Sequence, residues 1–239
     1  MSNEKYVVEI PVRLGSKRVP RKNLRLINGK PMVAYAIEAS KNAKRISQVY
    51  VNTEGDIMKK LCDELNVNYF ERTPELLQDD ARQDQFNYDF ICKVEAEHLV
   101  MVNPVSPLVL PEDIDNAINY YEQQNLDCLI SVREEKLQAF YKGKSINFDT
   151  NGLLPMTQDL EPIQLSAWTV CIWNAKKFKV HFEKYGYAVF IGKYGLYPFD
   201  PIRSIKVSTE EDFILAELYL KAKQTNKQTN NNKNIEYYE

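Results

Sequence analysis

Six basic side chains fall within thirteen positions near the start of this sequence: Arg13, Lys17, Arg18, Arg21, Lys22 and Arg25. The 239-residue chain has a formal net charge of −2, so everything outside that window sums to about −8. A local cation cluster in an otherwise acidic chain points to a bound anion. Gly15 and Ser16, at the centre of the cluster, let backbone approach a ligand closely and offer N–H and hydroxyl donors. Together they read as a phosphate-holding loop. The same residues could form a solvated basic turn or a nucleic-acid patch. A neutral-to-acidic chain with no second basic stripe fits nucleic acid poorly. Neither G-x-x-x-x-G-K-[ST] nor G-x-G-x-x-G follows the first apolar run.

Two further stretches carry polar groups at places where a fold could present them. Arg72, Glu75, Leu76, Asp79, Ala81 and Gln83 lie in a polar segment that otherwise reads as a strand-to-helix loop, with Asp79 or Asp80 helping to cap the next helix. Asn103-Pro104-Val105-Ser106-Pro107-Leu108 comes after an apolar run, and its two prolines could simply stop a strand before a helix.

The elements that must position these groups alternate. Residues 6–8, 49–53, 67–70, 98–102 and 127–132 predict strands, and 31–43, 56–65, 83–97 and 111–124 predict helices, with Pro31 and Pro111 as first-turn prolines. That order argues for an α/β, mostly parallel sheet with helices on both faces, where ligands sit beyond the carboxyl ends of the strands. The basic loop falls at such an end, after strand one. From about 133 to 167 the alternation lapses into a loop or hairpin excursion. Strands are then expected at 170–173 and 205–207, and Ser208-Thr-Glu-Glu211 reads as a capping box with Ser208 as N-cap of a last helix. Residues 1–223 are expected to form a single domain, and the Asn/Gln-rich 224–239 a disordered tail.

Composition is that of an ordinary globular protein, with 44% apolar and 27% charged residues. No apolar run approaches a membrane span, and the opening residues lack a signal segment, so a cytoplasmic location is expected. The four cysteines are widely spaced on apolar stretches and the two histidines are isolated, which argues against a disulfide framework or a zinc site.

The motif IP-x-R-x-GSK-x-x-x-x-KN, spanning Ile10 to Asn23, resembles the N-terminal signature of the CMP-N-acylneuraminate synthetases, cytidylyltransferases that join CTP to a sialic-type sugar acid. Ile10, Pro11, Arg13, Gly15, Ser16, Lys17, Lys22 and Asn23 match, while the usual second glycine is Leu14. The resemblance runs from about Tyr6 to Lys223 and implies a Rossmann-like fold of the nucleotide-diphospho-sugar transferase type. It implies that the loop wraps the triphosphate, with Arg13 and Lys22 stabilising charge as pyrophosphate is displaced. The pattern R-x-x-E-L-x-x-D-x-A at Arg72 to Ala81 is similar to the family's base-binding segment. It implies that Arg72 and Ala81, with Asn23, read the cytosine edge, and Gln83 stands where serine is usual. Asn103-Pro-Val-Ser-Pro-Leu108 resembles Q-P-T-S-P-L, whose first residue contacts the sugar. Lys142 sits near the place of a family lysine and could hold an acceptor carboxylate. The family's excursion reaches a second subunit, which implies a homodimer here, with no nucleic-acid or membrane partner.

Two departures from the family pattern touch chemistry. The C-terminal D-x-D-T-E-x-D, whose first two aspartates hold the divalent metal, reads Lys206-Val-Ser208-Thr-Glu-Glu-Asp212 here. Mg²⁺ is then expected to be bound mainly through CTP, with its protein ligands unknown; Asp200 is one weakly placed substitute. The arginine that should meet the acceptor's carboxylate is missing too, since none lies between Arg133 and Arg203. The expected function is transfer of CMP from CTP to a sialic, nonulosonic or unusual acid, releasing pyrophosphate, for surface-glycan precursors. The alternative is a catalytically inactive CTP-binding partner or sensor protein.

Overall fold

A computed structural model describes residues 5–15, 19 and 21–228. The chain begins with β1 (Tyr6–Pro11), passes a short 3₁₀ turn at Lys22–Leu24, and forms a ribbon of β2 (Leu26–Ile27) and β3 (Lys30–Pro31). Then come α1 (Met32–Asn42), β4 (Ile46–Thr53), α2 (Asp56–Leu65), β5 (Asn68–Glu71), α3 (Gln83–Lys93), β6 (His98–Val102), α4 (Pro111–Gln123) and β7 (Cys128–Glu135). A small hairpin of β8 (Phe140–Tyr141) and β9 (Lys144–Ser145) precedes β10 (Ile163–Asn174), α5 (Ala175–Tyr185), β11 (Tyr194–Pro198) and α6 (Glu210–Gln228).

Seven strands form one sheet in the order β11-β7-β10-β6-β1-β4-β5. Only β10 runs antiparallel to its neighbours, β6 and β7. The sheet is covered on both faces, as the alternation predicts. Alternate residues of β1 explain how: Tyr6, Val8 and Ile10 join a core with Ile37 of α1, Met58 of α2 and Ile114 of α4. Val7 points the other way, into a core with Phe90 of α3 and Phe178 of α5. Each fully buried large apolar side chain contributes roughly 1.5–3 kcal/mol. These two cores fix the carboxyl ends of β1, β4, β5 and β6, where the polar stretches emerge.

Several boundaries differ from the sequence expectation. Pro31 ends β3 and is the N-cap residue of α1, not its first helical residue. Helix α3 stops at Lys93. Strands β7 and β10 reach Glu135 and Ile163 and pair with each other there, so the excursion narrows to residues 136–162. Residues 175–185 form α5, which the basic residues around Phe178 hid; Asn174 caps it by accepting from Lys177 N–H (3.0 Å), and Gly186 ends it at φ +77°. Residues 205–207 are not a strand: Val207 N–H bonds to Val105 O and its carbonyl to the Lys22 ammonium, so no ladder is left for them to join. Helix α6 extends to Gln228, beyond the expected boundary at 223; the rest of the tail lies outside the described residues.

The cap of α6 is Thr209 rather than Ser208. The Asp212 carboxylate accepts from the N–H groups of Ser208 (2.8 Å) and Thr209 (2.9 Å), and the Thr209 hydroxyl accepts from Asp212 N–H (3.3 Å). Burial raises the affinity of Asp212 for a proton, but those backbone donors outweigh it and hold its pKa below the ordinary value. Stability from this cap is therefore present at neutral pH and is lost as pH falls through the acid range. Asp212→Ala should cost about 1–2 kcal/mol, a fall in Tm of roughly 2–8 °C at pH 7. In thermal melts this deficit should shrink as pH is lowered toward about 3.

Candidate functional site

The three polar stretches meet at the carboxyl edge of the sheet. Pro11 at the end of β1 and Arg13 after it, Arg72, Asp79 and Ala81 between β5 and α3, Gln83 at the start of α3, and Asn103 after β6 line one cleft of about 290 Å³. Sequence reasoning therefore placed five of its site residues together: Arg13, Arg72, Ala81, Gln83 and Asn103. Lys22 and Asn23 lie behind them on the 3₁₀ turn. Asn23 is buried and donates to Arg13 O (3.3 Å), bracing the start of the basic loop. Lys142 stands apart, in the turn between β8 and β9, with its ammonium over the exposed Tyr141 ring. Ser16, Lys17, Arg18 and Pro20 lie outside the described residues.

The cleft is built around a buried polar chain that crosses three strands. Glu9 of β1 is fully buried and its Oε1 accepts from Asn52 Nδ2 of β4 (2.5 Å). Asn52 in turn takes Arg72 Nε on its side-chain oxygen (2.9 Å) and Arg72 NH2 on its carbonyl (2.8 Å). The Arg72 guanidinium also lies 4.8 Å from the Phe86 ring centroid, which fixes its plane. Burial pushes the Glu9 carboxyl up to about 8, against the opposing effects of Asn52 and Arg72, and lowers the pKa of Arg72. Near neutral pH, Glu9 is thus a neutral acid behind a fixed cation. Neither Glu9 nor Asn52 was singled out in the sequence, although a lone carboxylate in the apolar run Val7-Val8-Glu9-Ile10 was a usable signal.

Among the described residues, Glu9 Oε2 within this network and Gln83 Nε2, a donor, and Asn23 Oδ1, an acceptor, make no hydrogen bond. Buried polar atoms without partners are uncommon and mark places where a ligand supplies one. Gly15 is informative in a similar way. Its φ lies outside the left-handed region and an added Cβ would meet nothing within 4 Å, so nothing among the described residues demands glycine there. The neighbouring Leu14 N–H already donates to a carboxylate, Glu54 (2.7 Å), which shows that loop amide meeting an anion.

The described members of the basic cluster have different partners. Arg25 makes a two-pronged ion pair with Glu210 (2.5 and 2.8 Å) and lies over Phe213, so it anchors α6. Arg13 pairs with Asp79 across the cleft mouth (2.7 Å). The Lys22 ammonium is held by Val207 O (2.8 Å), in the loop before α6. Asn103 is pinned as well: its N–H bonds to Thr169 O (2.9 Å) and its side-chain oxygen accepts from Val105 N–H (3.3 Å). Trp168, beside Thr169, has φ +58° within the bulge that breaks the β7–β10 register. A bulky residue in that conformation is strained, and such bulges cluster beside functional sites.

Residues 7–199 match the family model described as cytidylyltransferase. The chain belongs to the cytidylyltransferase family. Among curated relatives, the N-acylneuraminate cytidylyltransferase of Streptococcus agalactiae serotype III is 28% identical over 222 residues, covering 88% of this chain and 52% of that protein. The chain thus spans about half the length of that relative. The post-translational flagellin modification protein B of Campylobacter coli is 26% identical over 232 residues, covering 90% of this chain and 94% of that protein. A solved structure of CMP:2-keto-3-deoxy-manno-octonic acid synthetase complexed with CTP superposes with a TM-score of 0.68 at 14% identity, covering 92% of this chain and 99% of that one. At that identity it establishes the shared fold.

In this cytidylyltransferase-family chain, the positions where the resemblance implies metal-holding aspartates can be inspected directly. Lys206 and Ser208 stand where aspartates are expected, and among the described residues no group of three or more His, Cys, Asp or Glu side chains is placed to hold a metal ion. Asp200 does not replace them, since one of its oxygens accepts from the N–H groups of Ile202 and Arg203 and the other pairs with the Arg203 guanidinium (3.0 Å). The described residues do not fit a protein-held divalent ion.

Because the folded pKa of Glu9 lies above the unfolded value, its protonated form stabilises the fold fully below about pH 4.5. That contribution is lost as pH rises toward about 8. Glu9→Gln keeps an uncharged acceptor for Asn52. In denaturant titrations the variant should gain on wild type steadily from about pH 5 to pH 8, by on the order of a few kcal/mol at the top of the range. A gap that does not change with pH would mean that Glu9 is ionised in the folded protein.

Proposed function

We propose that this chain transfers CMP from CTP to a sugar acid of the sialic or nonulosonic type, releasing pyrophosphate. The observation that carries the reading is the convergence of Arg13, Arg72, Ala81, Gln83 and Asn103, from three separate segments, on one cleft at the carboxyl edge of the sheet. The base enters beside Arg72, where the unpartnered donor of Gln83, the backbone at Ala81 and the acceptor of Asn23 match a cytosine edge of mixed donors and acceptors. Leaving such an edge unpaired costs roughly 1–3 kcal/mol, which favours cytosine over other bases. The triphosphate follows the basic loop. Arg13 exchanges Asp79 for phosphate oxygens, Gly15 and Ser16 supply donors, and Lys17 and Lys22 add charge. The acceptor hydroxyl oxygen gives up its proton to water and bonds to the α-phosphorus. The bond from the α-phosphorus to the α–β bridging oxygen breaks, pyrophosphate leaves with that oxygen, and Lys22 and Arg13 stabilise the charge that develops. Mg²⁺ arrives on the triphosphate. The missing acidic cluster favours one competing reading, a CTP-binding protein without transferase activity.

Residues 136–162 present Phe140, Tyr141, Leu153, Leu154 and Met156 at 60% exposure or more, with Leu153 at 99%. Apolar side chains gathered on one projection fit an interface, and we propose that two copies pair through it, bringing each Lys142 toward its partner's acceptor site.

In a thermal unfolding series with CTP, ATP, GTP and UTP, with and without Mg²⁺, CTP alone at about a hundredfold over Kd should raise Tm by roughly 5–10 °C. Lys22→Ala and Arg13→Ala should each slow pyrophosphate release with CTP and a nonulosonic acid by about a hundredfold or more; unchanged rates would remove the loop from the mechanism. A CTP-selective shift with no pyrophosphate release from any acid would favour the non-catalytic reading. For the pairing, Leu154→Asp with Phe140→Asp should convert a sedimenting dimer to monomer; a wild-type monomer at micromolar concentration would refute it.

A further inference from the structure

Beyond the nucleotide cleft, a second cavity of about 320 Å³ opens between the β7–β10 arm and the entry to α6. Arg133 lies at the carboxyl end of β7, opposite Leu165 of β10. Lys206, Ser204 and Asp212 face it from the α6 side, and Ser166 from β10. The apolar part of the wall comes from Leu165, Ala167 and Leu215. Among the described residues Lys206 makes no hydrogen bond or ion pair, and Arg133 pairs only through Nε, with Glu135 (2.7 Å). Two cations with donors to spare thus meet in one cavity, although they stand 73 positions apart in sequence.

The position of the cavity ties it to the reaction centre. Val207, next to Lys206, holds the Lys22 ammonium through its carbonyl and donates its N–H to Val105 O (2.8 Å), in the turn that begins at Asn103. Asp212 feels the Lys22 charge as well. On the other side, Ala167 lies two residues from Thr169, whose carbonyl fixes Asn103 N–H. The Asn103–Val105 turn therefore stands between the nucleotide cleft and this cavity, with Lys22 at their junction.

The geometry points to Arg133 and Lys206 as the cations that receive the carboxylate of the acceptor sugar acid, an inference that rests on the cytidylyltransfer reading above. They supply what the sequence lacks at the family's usual arginine position. Lys206 is then more than a lost metal ligand, because the exchange of a carboxylate for an ammonium turns a cation-binding position into an anion-binding one. The rest of the wall suits the same ligand. Ser166 and the Asp212 carboxylate can meet hydroxyls, the aliphatic side chains can meet the C–H face of a sugar, and Asp212 disfavours a second polyphosphate. A neutral sugar would leave Lys206 without an anionic partner.

The test uses the full chain and a panel of acceptors: N-acetylneuraminate, 3-deoxy-manno-octulosonate and the methyl ester of each. Arg133→Gln, Lys206→Met and the charge-keeping Lys206→Arg are compared with wild type by pyrophosphate release and by CTP-induced thermal shift. The neutralising variants should keep the CTP shift and raise the KM for the free acid by about 10- to 100-fold, the loss of one charge-assisted bond. Lys206→Arg should restore most of the affinity, and the methyl esters should be poor acceptors that the variants do not change further. An unchanged KM in both neutralising variants would overturn the assignment, as would equal use of acid and ester by wild type. A protein that shows the CTP shift, yet neither binds nor converts any acid of the panel, would overturn it and leave the nucleotide reading standing. Loss of the CTP shift in wild type would instead remove the reading on which it rests.

Discussion

The buried chain from Glu9 through Asn52 to Arg72 is the constraint on which this site depends. A guanidinium that is 5% exposed must find partners inside the protein, and here one asparagine provides two of them. That asparagine is itself oriented by a carboxyl group that burial keeps protonated near neutral pH. The arrangement crosses β1, β4 and β5 at their carboxyl ends, so the register of three parallel strands and the aim of one cation are decided together. A wrong pairing would strand a charge in the core, at a cost of several kcal/mol. The same linkage makes the cleft rigid before any ligand arrives, which limits the ordering that binding has to impose.

A second constraint joins the first and last parts of the chain. Lys22 is held by a backbone carbonyl of the loop before α6, and Arg25 by Glu210 at the start of that helix. The small core of Ile27, Met32, Val105, Val207 and Phe213 closes the same junction. The basic loop therefore has its far end fixed by α6, while its centre, at Gly15, is under no conformational demand from the fold. Lys206 and Ser208 in this junction take no part in starting α6, because Asp212 and Thr209 supply its capping side chains.

Much of the fold was legible because it rests on period and order. Alternating apolar runs and amphipathic segments specify a covered parallel sheet, and the basic loop after the first strand specifies where an anion would lie. Helix α5 was hidden because lysines crowd the positions between Phe178 and its apolar neighbours. Its caps, Asn174 and Gly186, were the signal left unread. The length of β10 was hidden by the bulge at Trp168, which interrupts the alternation that marks a strand. The apparent strand at 205–207 failed for the opposite reason: three residues carried apolar alternation, but their backbone groups bond to a loop and to Lys22.

The sequence by itself determined the family and the alternation of strands and helices from β1 to β7, because local periodicity and short motifs are carried by neighbours in the chain. Tertiary structure alone decided which polar groups share a surface. Glu9 and Arg72 are 63 residues apart and Arg133 and Lys206 are 73 apart, and no local pattern relates either pair. What relates them is packing: strands that must bury both faces bring their carboxyl ends to one edge, and every charge buried there must find a partner from another segment. That demand set the partners of Arg72 and Lys22, and it gave Arg25 a partner in Glu210 at the start of α6.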